Sequence, residues 1–204
     1  MGTEREPPTT ALVVAGGRST RFSGGEKALA RFRGIPLIRH VADALAAHAD
    51  DLVVNCRADQ RAGFETALAG HDPTFAIDDA PDEGPLAGLR CGLAGRSGRV
   101  AVAACDMPAL PPGLFERLLG ADADAAVPVR EGHLQPLCAV YRAGPTRRAA
   151  AAALDADERS LRALCSRLDV ERVPADDFPS GAFRNVNTRA DLAAAEREVA
   201  AAGR

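Results

Sequence analysis

The residues best equipped for chemistry lie first in the stretch 11–29, ALVVAGGRSTRFSGGEKAL. Its apolar opening, Ala11 to Ala15, reads as a buried strand because it is brief, contains β-branched valines and ends at glycine. Gly16 and Gly17 follow, then Arg18 and Arg21, a second glycine pair at Gly24 and Gly25, and Lys27. Glycines after a strand let backbone N–H groups approach an anion with no Cβ in the way. Arginine and lysine at fixed offsets add the charge needed to hold several phosphate oxygens. The stretch reads as a nucleoside triphosphate loop in which Arg18, Arg21 and Lys27 neutralise the phosphates. The alternative is a glycine-rich surface turn with solvated charges. It is not a P-loop, since Ala28 follows Lys27, and it lacks the G-x-G-x-x-G dinucleotide pattern.

Further candidates end short apolar runs. Asp106 follows 100–104, which carries no polar side chain, and Pro108 disfavours an immediate helix. A lone carboxylate there suits Mg2+, which is usually held by one or two carboxylates with substrate phosphates and water. Asp106 could also cap a helix starting near Pro111 and Pro112, and the two roles are compatible. Asn55 ends the run 52–54, and Asp78 and Asp79 end 74–77.

The elements that must position these groups alternate. In 37–48, Leu37, Ile38, Val41, Ala44, Leu45 and His48 share one helical face. The segment 57–68 has helical composition, and Gly84-Pro85 opens a helical run over 86–95. Strand and helix patterns at this spacing predict β-α-β units on a mostly parallel sheet, a single α/β domain of three layers, αβα and Rossmann-like. In such sheets ligands bind outside the carboxyl ends of the strands, where Gly16, Gly17, Asn55, Asp78 or Asp79, and Asp106 would converge.

Composition removes several function classes. The chain has 204 residues, 47% hydrophobic, enough for a real core. Aromatics make up 4%, with no Trp and one Tyr, and the net charge is −3, so nothing suggests a nucleic-acid platform. Five cysteines, Cys56, Cys91, Cys105, Cys138 and Cys165, are well separated and form no C-x-x-C pair. They predict small buried hydrophobes in a reducing compartment. The first ten residues carry acids and prolines, and no apolar run reaches the roughly 18 residues of a membrane span, so a cytoplasmic protein is expected.

In order, the segments VVAGGRSTRFSGGEKAL, GIPLIRHVADAL, VVN (53–55), IDD (77–79), EGPLAGL (83–89), ACDMPALPP (104–112), HLQPLCAVY (133–141), RSLRAL (159–164) and FRNVNTRADL (183–192) resemble the molybdenum cofactor guanylyltransferases. These are GT-A-like nucleotidyltransferases, and the resemblance covers nearly the whole chain. The loop and C-D-x-P are shared with related transferases; G-P-L-A-G-L, Q-P-L before a strand, R-S-L and N-V-N-T discriminate further. The resemblance implies transfer of GMP from GTP to the terminal phosphate of molybdopterin, with Mg2+ and release of pyrophosphate. It implies nucleotide contacts by Val14, Ala15, Gly16, Lys27, Asn55 and Asp79, with Asp106 binding both GTP and Mg2+; Gly17 and Arg18 share the loop. The attacking phosphate is already an anion, so catalysis is mostly positioning and charge neutralisation, by Lys27 and Arg21 and by Mg2+ on Asp106. No general base is required, in keeping with four histidines that have no evident partner in the sequence.

The part about 10–112 is then expected to hold nucleotide, and about 113–204 the acceptor. Gln135, before the strand 137–141, can offer donors and acceptors to a pterin or make a turn-side hydrogen bond. Arg159 stands where a helix begins, as a ligand contact or in a solvated capping turn. Asn185 and Asn187 alternate about Val186 on an extended segment, facing the acceptor or shaping a turn. Thr188 and Asp191 fit a capping box for a last helix expected to pack on the sheet. The chain departs from the family's usual Asp-Lys-Gly at Glu26-Lys27-Ala28, which bears on loop geometry. Transient contacts with cofactor-biosynthesis proteins or apo-molybdoenzymes are expected. The competing readings are transfer from CTP, transfer to a cobamide precursor or phosphosugar, and a non-catalytic cofactor carrier; intact Lys27 and Asp106 argue against the carrier.

Overall fold

The computed structural model describes residues 9–18, 22, 25–78, 83–179 and 181–202. The main sheet contains β1 (Thr9–Val14), β4 (Asp51–Cys56), β5 (Thr74–Ile77), β6 (Arg99–Ala104), β7 (Ala125–Arg130), β8 (His133–Leu134), β9 (Cys138–Arg142) and β10 (Val170–Pro174). A small hairpin joins β2 (Arg31–Phe32) to β3 (Ile35–Pro36). The helices are α1 (Leu37–Ala46), α2 (Arg61–Ala67), α3 (Pro85–Gly92), α4 (Leu114–Leu119), α5 (Ala143–Asp155), α6 (Leu161–Cys165) and α7 (Arg189–Ala202). Strand order is β10-β7-β9-β6-β1-β4-β5, with β8 paired to β7. β9 runs antiparallel to β6 and β7, whereas β1, β4, β5 and β6 form a parallel block, so the expected mostly parallel α/β sheet is observed.

Why β1 is central follows from its side chains. Successive residues of a strand face opposite sides, and here both sides are apolar. Ala11 and Val13 enter one buried cluster with Ile38, Val41 and Leu45 of α1, Phe64 of α2 and Leu114 of α4. Leu12 enters another with Leu86, Leu89 and Leu93 in and after α3, Ala150 of α5 and Leu164 of α6. Helices on both faces make the three layers. Each fully buried leucine or valine contributes about 1.5–3 kcal/mol through removal from water.

Register then sets the site. Val14 lies opposite Asn55 of β4 on one side and Ala104 of β6 on the other, and Cys56 lies opposite Ile77 of β5. Residues that follow these positions emerge at one edge of the sheet. Gly84 enters α3 with φ +84°, a left-handed value that glycine adopts without a Cβ penalty, and Pro85 sits at the first helical position.

Two expectations change. α1 ends at Ala46, so His48 lies beyond it, with its ring 6.4 Å from that of Phe115. α7 does not lie on the main sheet: Leu192 and Ala195 pack with Phe22, Phe32, Leu37 and Val186. It closes over the hairpin and the start of α1, tying the chain's last helix to its first third.

At the contact of α3 with β1, a Cβ on Gly92 would stand 2.4 Å from Leu12 Cδ1. Leu12 is fully buried and has no room to withdraw. Gly92→Ala should therefore cost about 1–3 kcal/mol by overpacking, read as a lower midpoint in chemical denaturation. A midpoint equal to that of the unchanged protein would contradict this packing.

Candidate active site

Three distant segments meet at Lys27. The residue opens a single 3-10 turn, Lys27–Leu29, and its Nζ donates to Asp106 Oδ2 at 2.6 Å and to Asn187 Oδ1 at 3.2 Å. Asp106 lies just past the end of β6, and its backbone carbonyl accepts from Val186 N–H at 2.8 Å. The ammonium and carboxylate are 15% and 14% exposed, so solvent screens this pair little. Lys27 covers only one carboxylate oxygen. Oδ1 of Asp106 is buried with no hydrogen-bond partner among the described residues.

Asn55 is fully buried at the end of β4. Its Nδ2 donates to Ala76 O at 3.3 Å, and its Oδ1 is buried and unpaired among the described residues. Room for this amide comes from glycine on both sides. A Cβ on Gly88 would meet Asn55 Oδ1 at 2.6 Å, and one on Gly16 would meet it at 3.2 Å and Asp78 Oδ2 at 3.1 Å. Gly88 of the segment 83–89 thus packs against Asn55, and Asp78 lies beside the glycine loop. Asp79 and Arg21 lie outside the described residues.

Val14 and Ala15 bring the loop out of the sheet: Ala15 N–H donates to Asn55 O at 2.9 Å, and Val14 O accepts from Cys105 N–H at 3.1 Å. Gly17 and Arg18 are exposed. Two residues outside the sequence-derived set, Arg57 and Gln60, reach the loop from the segment between β4 and α2. Arg57 Nη1 donates to Gly17 O at 2.7 Å and Gly16 O at 3.3 Å, and Gln60 Nε2 donates to Ala15 O at 3.3 Å. Only the helical pattern of 57–68 hinted at their place.

On the other side, Gln135, Asn185, Met107, Pro136 and Leu161 line a cavity of about 170 Å³ beyond Asp106. Tyr141, fully buried in β9, donates to Pro136 O at 2.7 Å and fixes this turn. Gln135 Nε2 is 3.4 Å from His133 O, so the turn-side hydrogen bond forms as well. Asn185 and Asn187 separate: the first lines that cavity, and the second contacts Lys27. Arg159 joins neither, pairing with Asp157 at 3.0 Å and Glu83 at 3.6 Å while Ser160 caps α6 through Ala163 N–H at 3.1 Å. The cap expected of that motif forms.

The expected box before α7 forms. Asp191 Oδ2 accepts from Thr188 N–H at 2.8 Å and Asn187 N–H at 2.9 Å, and Asp191 N–H donates to Thr188 Oγ1 at 3.1 Å. The Thr188 and Asn187 hydrogen bonds hold the Asp191 carboxyl below the ordinary carboxylate range. This cap orients the backbone of Asn187.

Burial pushes the Cys105 thiol up to about 12, so it stays protonated beside Asp106. Two histidines have partners that the sequence did not suggest: His40 Nε2 lies 2.8 Å from Phe32 O, and His71 Nε2 lies 2.6 Å from Asp43 Oδ1. No helix among the described residues is long and apolar enough to cross a membrane. Together, the glycine loop, a cation and a half-free carboxylate at one sheet edge can hold a polyanion with a divalent cation.

Residues 11–173 match the family described as the MobA-like NTP transferase domain. A probable molybdenum cofactor guanylyltransferase of Natronomonas pharaonis is 44% identical, over 90% of this chain and 94% of that protein. A molybdenum cofactor guanylyltransferase of Burkholderia vietnamiensis is 38% identical, over 94% and 97%. Among solved structures, a molybdopterin-guanine dinucleotide biosynthesis protein A from Archaeoglobus fulgidus aligns with a TM-score of 0.76 at 26% identity, covering 94% of this chain and 99% of that one. A nucleotidyl transferase from Methanothermobacter thermautotroptrophicus, at 21% identity and a TM-score of 0.75, shares the fold.

The cap gives a signed pH dependence. Because the folded-state pKa of Asp191 is lowered, its contribution is present above the unfolded carboxylate pKa of about 3.9 and is lost as pH falls through the folded value. Asp191→Ala should be less stable than the unchanged protein at pH 7, and the gap should close in acid. A gap that is constant from pH 7 down to about 2 would remove this account of the cap.

Proposed function

This chain belongs to the MobA-like NTP transferase family, and we propose that it transfers GMP from GTP to the terminal phosphate of molybdopterin, releasing pyrophosphate. The observation that carries the reading is the meeting of Lys27, Asp106 and Asn187, which joins the glycine loop, a strand end and the N-V-N-T segment in one site. The guanylyltransferase relatives favour GTP as donor and the pterin as acceptor.

Nucleotidyltransferases of this kind generally use a divalent metal, and we assign Mg2+ to Asp106. The fit rests on its buried, unpaired Oδ1 and on an all-oxygen donor set completed by substrate phosphates and water. A cation held there would supply positive charge to the donor's phosphates. The protein's own residues do the rest. Backbone N–H groups of Gly16 and Gly17, with Arg18, Arg21 and Lys27, hold the triphosphate. Val14, Ala15, Asn55 and Asp79 place the nucleoside; the unpaired Oδ1 of Asn55 can accept from a ligand N–H or O–H. Gln135 and Asn185, lining the cavity past Met107, bind the acceptor. Asn187, through Lys27, sits at the seam between a nucleotide part of about 10–112 and an acceptor part of about 113–204. The acceptor phosphate attacks as an anion, so no side chain need remove a proton, and positioning dominates the rate. We place the reaction in the cytoplasm, with cofactor-biosynthesis proteins or apo-molybdoenzymes as transient partners.

Pyrophosphate release should require Mg2+, the molybdopterin acceptor and GTP, with CTP, ATP and UTP far weaker. Release with CTP would keep the mechanism and change the base; silence with all four would end the reading. Asp106→Ala should lower turnover by about a hundredfold or more while leaving circular dichroism unchanged. A folded variant with near-normal turnover would remove the metal assignment.

A further inference from the structure

The proposed chemistry leaves one buried polar cluster without a role. Gln60 is 5% exposed, and a buried amide needs partners to offset its desolvation. Its side-chain nitrogen faces the loop: Nε2 lies 3.3 Å from Ala15 O, 3.4 Å from Gly17 O and 2.8 Å from Glu26 Oε2, while Oε1 accepts from Arg57 N–H at 2.8 Å. The Arg57 side chain, 18% exposed, takes the carbonyls of Gly16 and Gly17 and reaches Glu26 Oε2 at 3.5 Å; Asp59 holds its other edge at 3.0 Å.

We propose that Arg57 and Gln60 are positioning residues that clamp the nucleotide loop from behind, with Glu26 as the loop's anchor. The argument is one of peptide geometry. A trans peptide unit is planar and its C=O and N–H point in opposite directions. The carbonyls of Ala15, Gly16 and Gly17 share peptide units with the N–H groups of Gly16, Gly17 and Arg18. Holding those three carbonyls from the Arg57 side turns the three N–H groups to the opposite side, where a phosphate would lie. The N–H groups of Gly16 and Gly17 donate to no acceptor among the described residues. A guanidinium behind the loop also polarises the peptides it touches, strengthening the donors in front. Glu26 precedes Lys27, so the same clamp fixes where the Lys27 ammonium stands against Asp106. The Glu26 side chain reaches Gln60 at 2.8 Å and Arg57 at 3.5 Å, so both ends of the loop are held by the same two residues.

The inference rests on reading 15–27 as the nucleotide loop, and its test separates the two. GTP affinity with Mg2+ by calorimetry, and KM for GTP and for acceptor, are compared for the unchanged protein, Arg57→Ala, Arg57→Lys and Gln60→Ala, with thermal melts alongside. Arg57→Ala and Gln60→Ala should weaken GTP by about tenfold or more while KM for acceptor moves less than about twofold. Arg57→Lys should fall between, because one ammonium keeps the charge but cannot span two carbonyls and a carboxylate. If Gln60→Ala fails to fold, the partly exposed Arg57 variants decide. GTP affinity within about twofold of normal in Arg57→Ala, or equal losses on both substrates, overturns the clamp alone. An unchanged protein that binds none of the four nucleotides overturns the clamp and the proposed reaction together.

Discussion

The ion pair between Lys27 and Asp106 is the interaction on which the assembly of the site depends. It closes a loop of 79 residues, and the second bond of Lys27 to Asn187 spans 160. Ordering such long loops costs entropy, and burying a carboxylate with one oxygen unpaired costs desolvation. A stability device would satisfy both oxygens. A half-satisfied pair at a sheet edge instead has the form expected of a site whose remaining valence belongs to a ligand, and local disagreement with good packing practice is where function concentrates. The fold around it offsets this cost through two apolar faces and a third cluster beneath α7.

That third cluster explains how the chain's last segment comes to share a site with its first. Val186 is fully buried among Phe22, Phe32 and Leu37, and its N–H binds Asp106 O. Asn187, the next residue, is then held from one side by that anchor and from the other by the Asp191 cap. N-V-N-T therefore works as a structural sequence: the valine docks, the threonine starts a helix, and Asn187 is left facing Lys27. Gly88 serves Asn55 in the same way, by leaving out a Cβ that would occupy the space of the amide.

Much of this was legible in the sequence. Short apolar strands ending in glycine, asparagine or aspartate gave β1, β4, β5 and β6, and their alternation with helical patterns gave the parallel block. The capping box before α7 was readable from Thr188 and Asp191 alone. Other features were hidden for identifiable reasons. β7 reads A-A-V-P-V-R, and a proline inside a strand hides it; β9 pairs only Ala125 and Ala126, so the ladder on that side has ended before Pro128. β10, V-E-R-V-P, is an edge strand with little apolar pattern. The partners of His40 and His71 come from tertiary approach, which no local pattern encodes. Arg57 and Gln60 were missed because their targets on the glycine turn are backbone carbonyls, and a carbonyl leaves no trace in the letters of its residue.

The loop's two departures from the family's usual Asp-Lys-Gly can be weighed by what they touch. Ala28 is fully buried in the cluster that holds Val13, Ile38 and Val41, so its methyl adds apolar contact where glycine would leave a gap. Burial of one such group is favourable by about 0.8 kcal/mol, and alanine also restricts the unfolded chain more than glycine does. Glu26 accepts from Gln60 Nε2 at 2.8 Å and stands 3.5 Å from Arg57, so its carboxylate is engaged by the clamp. The two changes thus act on opposite sides of Lys27, one packing its successor into the core and the other fastening its predecessor to the clamp, and both leave the ammonium facing Asp106.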